Sequence, residues 1–314
     1  MRKIKWFMKS AIFILTFNRR KVLEEELKGI AEHCQGRPVF IFDDLSQRDD
    51  TLTFLTKSAV SRKDRPDLMA VEVTLANGWK VFLGNRNLGV AGNSNRAIKV
   101  FMDETDADHL CLLNDDLHVE GDFVEWYARA HDYLGVGMFS FCDFTHHPSY
   151  KWIDVRKMGY IVKICPRMTA IMTSMTRKVI EAIGYYDAQF GKFGQEHCDH
   201  MNRARFAGFM NLDGMMQPQI DVHHNMATGT PRTLLRHQEC ETSVVGIDRR
   251  AADAEADAII KAVGKSYRYR HLYRPFCLQL PRLAGAHGKQ GIPVDELNVA
   301  YQTVTDFWPA ALPS

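Results

Sequence analysis

His109-Leu110-Cys111-Leu112-Leu113-Asn114-Asp115-Asp116 is an apolar run that ends in two adjacent carboxylates. A run this short, closed by turn-forming residues, reads as a buried strand. In an open α/β sheet, ligands bind beyond the carboxyl ends of the strands. Adjacent carboxylates in such a place are costly unless something positive compensates them. A hard divalent cation carrying a diphosphate is a natural compensator. The simpler reading is a polar turn after a strand, because Asn and Asp favour turns.

The rest of the first half alternates strand and helix around this segment. Residues 11–17 are apolar and rich in β-formers, and residues 39–42 form a second strand ending in Asp43-Asp44. Residues 79–83 read as a third strand. Residues 21–33 carry Val22, Leu23, Leu27, Ile30 and Ala31 at helical spacing, and residues 93–102 form a further helix. This alternation predicts an α/β fold with a mainly parallel sheet flanked by helices. Asp43, Asp44, Asp115 and Asp116 then lie along one edge of it. The second half is less regular: helices are expected over 122–133, 176–183 and 195–206, and strands over 168–175 and near 221–224. From Pro231 the character changes to an Ala-rich helical stretch and a basic tail, which predicts a catalytic region over 1–230 and a mostly helical appendage over 231–314.

Composition is that of a globular chain: 314 residues, 46% hydrophobic, 25% charged, net charge +2. The small net charge gives no argument for whole-molecule steering toward a polyanion. The seven cysteines are odd in number and show no CxxC pair, which points to reduced thiols and a cytoplasmic protein. The N-terminal apolar stretch is short, is interrupted by Lys9 and runs into Asn18-Arg19-Arg20, so it reads as a strand and not as a signal peptide. No stretch is long enough for a transmembrane segment.

Ile14-Leu15-Thr16-Phe17-Asn18-Arg19 and Val39-Phe40-Ile41-Phe42-Asp43-Asp44-Leu45-Ser46 together resemble the opening of family-2 nucleotide-sugar glycosyltransferases. So do Asn87-Leu88-Gly89-Val90-Ala91-Gly92-Asn93-Ser94-Asn95 and Leu113-Asn114-Asp115-Asp116. Gly184-Tyr185-Tyr186-Asp187 and Gln195-Glu196-His197-Cys198-Asp199, with Arg203 and Gly208, resemble that family's acceptor-side block. The likeness covers about residues 10 to 226. It implies a GT-A fold, with a donor-binding half over about 1–120 and an acceptor-side half over about 121–230. It also implies a nucleoside-diphosphate sugar donor, UDP first among them, and Mn²⁺ or Mg²⁺ as cofactor.

By that resemblance, Asn114-Asp115-Asp116 corresponds to the DXD motif, with Asp116 the direct metal ligand and Asn114 or Asp115 reaching the ribose. Asp43 or Asp44 serves the uracil or ribose, with Asp44 slightly favoured, since a carboxylate can accept from a base N–H or a ribose hydroxyl. Either can equally be a turn or cap carboxylate. Thr16 and Asn18 end the first strand beside them, and Asn87 belongs to the donor-side block. In His223-His224, adjacent residues on an extended strand point to opposite faces, so one of them ligates. His224 is the choice, with His223 or Asp221 as alternatives, against a plain packing histidine. An imidazole ligand favours Mn²⁺ over Mg²⁺.

In the acceptor block, His197 stands where the family's usual Glu-Asp pattern has the general base of inverting enzymes. Imidazole titrates near neutrality and can do that work. The base assignment is open between His197 and Glu196, and inverting against retaining chemistry is open with it. Asp199 is four residues before Arg203 and is expected to pair with it structurally.

Residues 258–294 contain no Asp or Glu but seven Lys or Arg, interleaved with Tyr267, Tyr269, Tyr273 and Phe276. Such a segment suits a polyanion, although most charge runs are solvated faces. The expected acceptor is therefore a glycan or small molecule, with a modified DNA base as the alternative. Rival readings are a nucleotidyltransferase and a non-catalytic sugar-nucleotide or nucleic-acid binding module. Against the first, Thr16-Phe17-Asn18-Arg19-Arg20-Lys21 lacks the glycines that a nucleotidyltransferase loop carries.

Overall fold

A computed structural model describes residues 8–141, 153–157, 160–165, 171–187, 196–206, 209, 226–228 and 234–238. Strand β1 (Ser10–Thr16) leads into helix α1 (Arg20–His33) and strand β2 (Val39–Asp43). After a short helix α2 (Thr51–Thr56) come β3 (Ala59–Arg65), β4 (Ala70–Leu75) and β5 (Lys80–Gly84). Helix α3 (Gly89–Glu104) precedes β6 (His109–Asn114), β7 (Leu117–Val119), α4 (Phe123–Leu134) and β8 (Met138–Phe141). The later elements are β9 (Ile153–Lys157), β10 (Tyr160–Cys165), β11 (Met172–Thr176), α5 (Arg177–Ile183), α6 (Glu196–Phe206), β12 (Met226–Thr228) and β13 (Leu235–His237).

Eight strands form one sheet in the order β3-β4-β5-β2-β1-β6-β11-β8. β5, β2, β1 and β6 run parallel, while β4 and β11 run antiparallel to their neighbours. Side chains alternate faces along each strand, and the buried residues divide accordingly. Ile12, Ile14, Ile41, Val81 and Leu113 pack under α1 and α4. Phe13, Leu15, Phe40, Phe42, Phe82 and Leu112 pack under α3, α5 and α6. The result is the three-layer α/β arrangement expected from the alternation of elements.

The chain proceeds from β1 to β2 on one side and later returns to place β6 on the other. The gap between the carboxyl ends of β1 and β6 is therefore the switch point of the sheet, where open α/β folds bind ligands. Asn18 and Arg19 follow β1 there, and Asp115 and Asp116 follow β6.

Two elements differ from expectation for identifiable reasons. Strand β3 gives no apolar periodicity, because residues 59–64 are all exposed, and β4, which alternates Val71, Val73 and Leu75, lies outside the strands expected from sequence. Helix α3 starts at Gly89, four residues before the expected Asn93, since Asp44 caps it from outside its own sequence. Residues 235–237 lie beyond the boundary expected near Pro231. They pair with β7, and Leu235 is buried in the core beside α4.

Candidate functional site

At the end of β1, Asn18 has φ +54°, a left-handed conformation that Asn tolerates better than most residues. Its backbone N–H donates to Ser46 Oγ at 2.7 Å, and its side-chain oxygen accepts from the amides of Gln47 and Arg48 at 2.8 and 3.0 Å. Ser46 in turn donates its hydroxyl and its amide to Asp43. Thr16 and Asp43 are register partners across β1 and β2. Thr16, Asn18 and Asp43 thus form one connected unit. Burial pushes the Asp43 carboxyl up to about 6, against the Ser46 hydrogen bonds.

Asp44 is engaged elsewhere. Its carboxylate accepts from the amides of Leu88 (2.9 Å) and Gly89 (2.7 Å) and from the buried Arg96 guanidinium at 2.9 Å. The second Leu88 contact, at 3.0 Å, fills the remaining lone pair. The residue favoured from sequence for the nucleoside is therefore saturated by the fold itself and anchors the start of α3. Asn87 donates to the Asp44 carbonyl at 3.2 Å.

On the other side of β1, Arg19 Nη1 bridges the paired carboxylates, at 3.0 Å from Asp115 Oδ1 and 2.9 Å from Asp116 Oδ2. The Phe17 amide donates to the other Asp115 oxygen at 3.3 Å. Burial lifts the Asp115 carboxyl to about 6, although Arg19 opposes it. Burial would also raise Asp116, but the contact with His237 and the charge of Arg19 outweigh it and hold Asp116 below the usual range. His237 Nε2 lies 3.5 Å from Asp116 Oδ2, because β13 pairs with β7 immediately after the turn. Asp116 Oδ1 is buried and has no hydrogen-bond partner. Beneath this turn sits Glu26, fully buried, accepting from the Leu117 amide at 3.4 Å. Burial, followed by repulsion from Asp115 and Asp116, raises its carboxyl well above the usual range. Asn114 ends β6, half-buried, with its amide donating to the Ile171 carbonyl at 2.9 Å.

The acceptor-block residues open α6, which packs against α3 and α5. His197 Nδ1 lies 3.0 Å from Glu196 Oε1, with His197 about a quarter exposed (24%) and Glu196 buried (4%). A carboxylate on one ring nitrogen sets the tautomer, leaving Nε2 as the acceptor. Asp199 and Arg203 form a fully buried pair at 2.8 Å, the structural role expected for Asp199. Arg203 also donates to the carbonyls of Ile183 and Tyr185, which ties α6 to the end of α5.

Asp221, His223 and His224 lie outside the described residues, as does the basic segment over 258–294. Among the described residues no helix is long and apolar enough to cross a membrane, and Cys34 and Cys111 are free thiols. Three site-edge residues were given no role from sequence. Glu26 carried a signal, since it interrupts the apolar stripe Leu23, Leu27, Ile30. Arg19 carried another, as a cation at a helix N-terminus. His237 carried none.

A cation fits this turn in part. Asp116 offers a buried unpartnered oxygen, and His237 stands beside it. Among the described residues, however, no three His, Cys, Asp or Glu side chains converge as a self-sufficient metal cage. Any cation here would complete its shell with ligand oxygens, as ions carried by phosphates do.

No protein-family model and no curated protein matches the sequence. Solved structures do. GalNAc-T7 with UDP, GalNAc and Mn²⁺ matches with a TM-score of 0.54 at 12% identity, over 93% of this chain; the chain spans 57% of that protein. S. aureus TarS 1-349 matches at 0.48 and 12% identity, over 94% of this chain and 81% of that one. Mannosyltransferase PcManGT from Pyrobaculum calidifontis, in complex with GDP-Man and Mn²⁺, matches at 0.43 and 11% identity, over 94% and 86%. The likeness to GalNAc-T7 shows a shared fold, the GT-A arrangement of a mostly parallel sheet flanked by helices.

Proposed function

We propose that this chain is a glycosyltransferase that moves a sugar from a nucleoside-diphosphate donor, UDP-linked in the first instance, to an acceptor hydroxyl. The observation that carries the reading is the Asp115–Asp116 pair at the β1/β6 switch point, with one Asp116 oxygen buried and unsatisfied. A buried acceptor without a donor is expensive, so it is kept where a ligand completes it. Asp116 and His237 would hold Mn²⁺ or Mg²⁺, with the imidazole favouring Mn²⁺. When bound, such a cation stabilises charge on the departing diphosphate. His224 remains a candidate for a further ligand.

Thr16, Asn18 and Asp43 supply the nucleoside side, with Asn87 and Asp44 as the frame behind them. Asn114 and Asp115 face the ribose. His197 acts as general base with Glu196 orienting it. His197 Nε2 accepts the acceptor O–H proton, the acceptor oxygen bonds to the anomeric carbon, and the bond from that carbon to the diphosphate oxygen breaks. This arrangement inverts the anomeric centre.

The test is ligand-induced stabilisation, since a ligand that binds the native state raises stability by mass action. UDP with Mn²⁺ is expected to raise Tm more than either alone. Asp116→Asn is expected to keep the fold and lose the Mn²⁺-dependent part of that shift. A wild-type-like shift in the variant would overturn the metal assignment. His197→Ala is expected to lower kcat by roughly 10²–10⁴-fold, the usual worth of a general base, with donor affinity nearly unchanged. A larger loss in Glu196→Gln, or a product that retains configuration, would remove that role from His197.

A further inference from the structure

Helix α1 begins with Arg19-Arg20-Lys21 and has no acidic residue in its first turn. Cations at a helix N-terminus oppose the helix dipole. Asp49, from outside the helix, accepts from the Arg20 amide at 2.9 Å, but nothing in the helix's own first turn offsets the cations, and proteins break such local rules at functional sites. Arg20 has its own partners: Nη1 meets Glu24 and the guanidinium lies over the Phe54 ring, 3.6 Å from its centroid. Arg19 is turned the other way by the left-handed Asn18, onto both carboxylates of the Asp115–Asp116 turn. Its side chain is only 11% exposed. The oxygen it leaves unsatisfied, Asp116 Oδ1, is buried. One cation therefore neutralises the pair incompletely, in the place where a divalent ion and a diphosphate are to sit.

We propose that Arg19 is a resident cation that holds the Asp115–Asp116 pair in the free protein and transfers to the donor diphosphate when donor enters. The inference rests on the donor-site reading above. Its consequence is coupling. With Arg19 in place the carboxylates are poor ligands for a metal ion alone. Once the diphosphate attracts the guanidinium, which matches its oxygens in a bidentate fork, Asp116 is freed. Metal and nucleotide then enter together, and by linkage each raises the affinity of the other equally.

The experiment is titration of Mn²⁺ alone and Mn²⁺ with UDP, followed by electron paramagnetic resonance, on the wild type, Arg19→Met and Arg19→Lys. The wild type is expected to bind Mn²⁺ weakly by itself and more tightly with UDP. Arg19→Met is expected to bind Mn²⁺ alone roughly 10–100-fold more tightly, the equivalent of one charge-assisted hydrogen bond, and to lose most of the UDP enhancement. Arg19→Lys keeps a cation on the carboxylates but cannot fork onto the diphosphate, so it should fold even if Arg19→Met does not, bind Mn²⁺ alone as weakly as the wild type, and lose a clear part of the UDP enhancement. Unchanged Mn²⁺ affinity in Arg19→Met, or full UDP enhancement in Arg19→Lys, with that enhancement intact in the wild type, would overturn the role of Arg19 and leave the donor site standing. A wild type whose Mn²⁺ binding ignores UDP would overturn both.

Discussion

At the residue scale, the core carries a polar chain that the proposed donor site does not use. Ser10 Oγ lies 2.8 Å from His109 Nδ1, His109 Nε2 lies 2.7 Å from Ser174 Oγ, and Ser174 Oγ lies 2.7 Å from His131 Nε2. His131 Nδ1 meets the Val136 carbonyl, which can only accept, so that nitrogen carries the proton. In the neutral ring the other nitrogen accepts from Ser174, and Ser174 accepts from His109 Nε2; the Ser10 hydroxyl also reaches the Met8 carbonyl at 3.2 Å. Burial lowers His131 to about 4 and holds His109 well below the usual imidazole range. The unfolded chain therefore binds more protons than the folded one between about pH 6.5 and 4, and the contribution to stability is lost as pH falls through that window. His131→Gln should lose stability at pH 7 by about 1–3 kcal/mol, the usual cost of a broken buried hydrogen bond. Its stability should then fall less steeply than the wild type's from pH 6 to 5, by about 1.4 kcal/mol per unit for one proton. Asp43 and Asp115, both raised to about 6, act in the opposite sense, but they are common to both proteins and cancel in the difference. Urea unfolding of both proteins between pH 4.5 and 7 measures it; parallel profiles would show that His131 takes up its proton without penalty.

At the element scale, α3 is held by contacts from outside its own sequence. Gly89 and Gly92 are poor helix formers, yet the helix begins at Gly89 because Asp44 receives its first amides and Arg96 returns the charge about two turns later. Gly84 makes room for that guanidinium: a Cβ there would stand 2.7 Å from Arg96 Nη1 and 2.8 Å from the Asp43 carbonyl. Removing one partner of a buried pair strands the other, at about 3–5 kcal/mol. Arg96→Met and Asp44→Asn should each cost about that much, and the double variant clearly less than the sum. Chemical denaturation of the four proteins gives the cycle; additive losses would show that the two side chains act independently. Helix α1 is placed with similar closeness. A Cβ on Gly29 would stand 2.5 Å from the Val119 carbonyl, so Gly29→Ala should lift α1 from β7 and cost about 1–3 kcal/mol, as overpacking does.

At the scale of the whole molecule, the site is assembled from segments far apart in the chain. Asp116 gains His237 only because β13 pairs antiparallel with β7. His237→Ala should weaken Mn²⁺ binding in the presence of UDP by at least the roughly 10–100-fold that substitutions around a metal's ligands cost, with little change in Tm. Mn²⁺ titration with UDP present tests it, and unchanged affinity would return the second ligand to the segment around His224.

The parallel strands and the helices that cover them were legible in the sequence, because β1, β2 and β6 are apolar throughout and α1 repeats at helical spacing. The four strand-end aspartates were legible for the same reason, since a carboxylate after a buried strand breaks the pattern sharply. Which of these aspartates is saturated by the fold and which keeps an unpaired oxygen was decided by tertiary structure alone. Asp43 and Asp44 are neighbours of identical chemistry, and only the arrival of Leu88, Gly89 and Arg96 distinguishes them. Strand β3 left no periodic trace because residues 59–64 are all exposed, and the approach of His237 left none because the pairing of β13 with β7 is set by backbone hydrogen bonds that carry no side-chain signature.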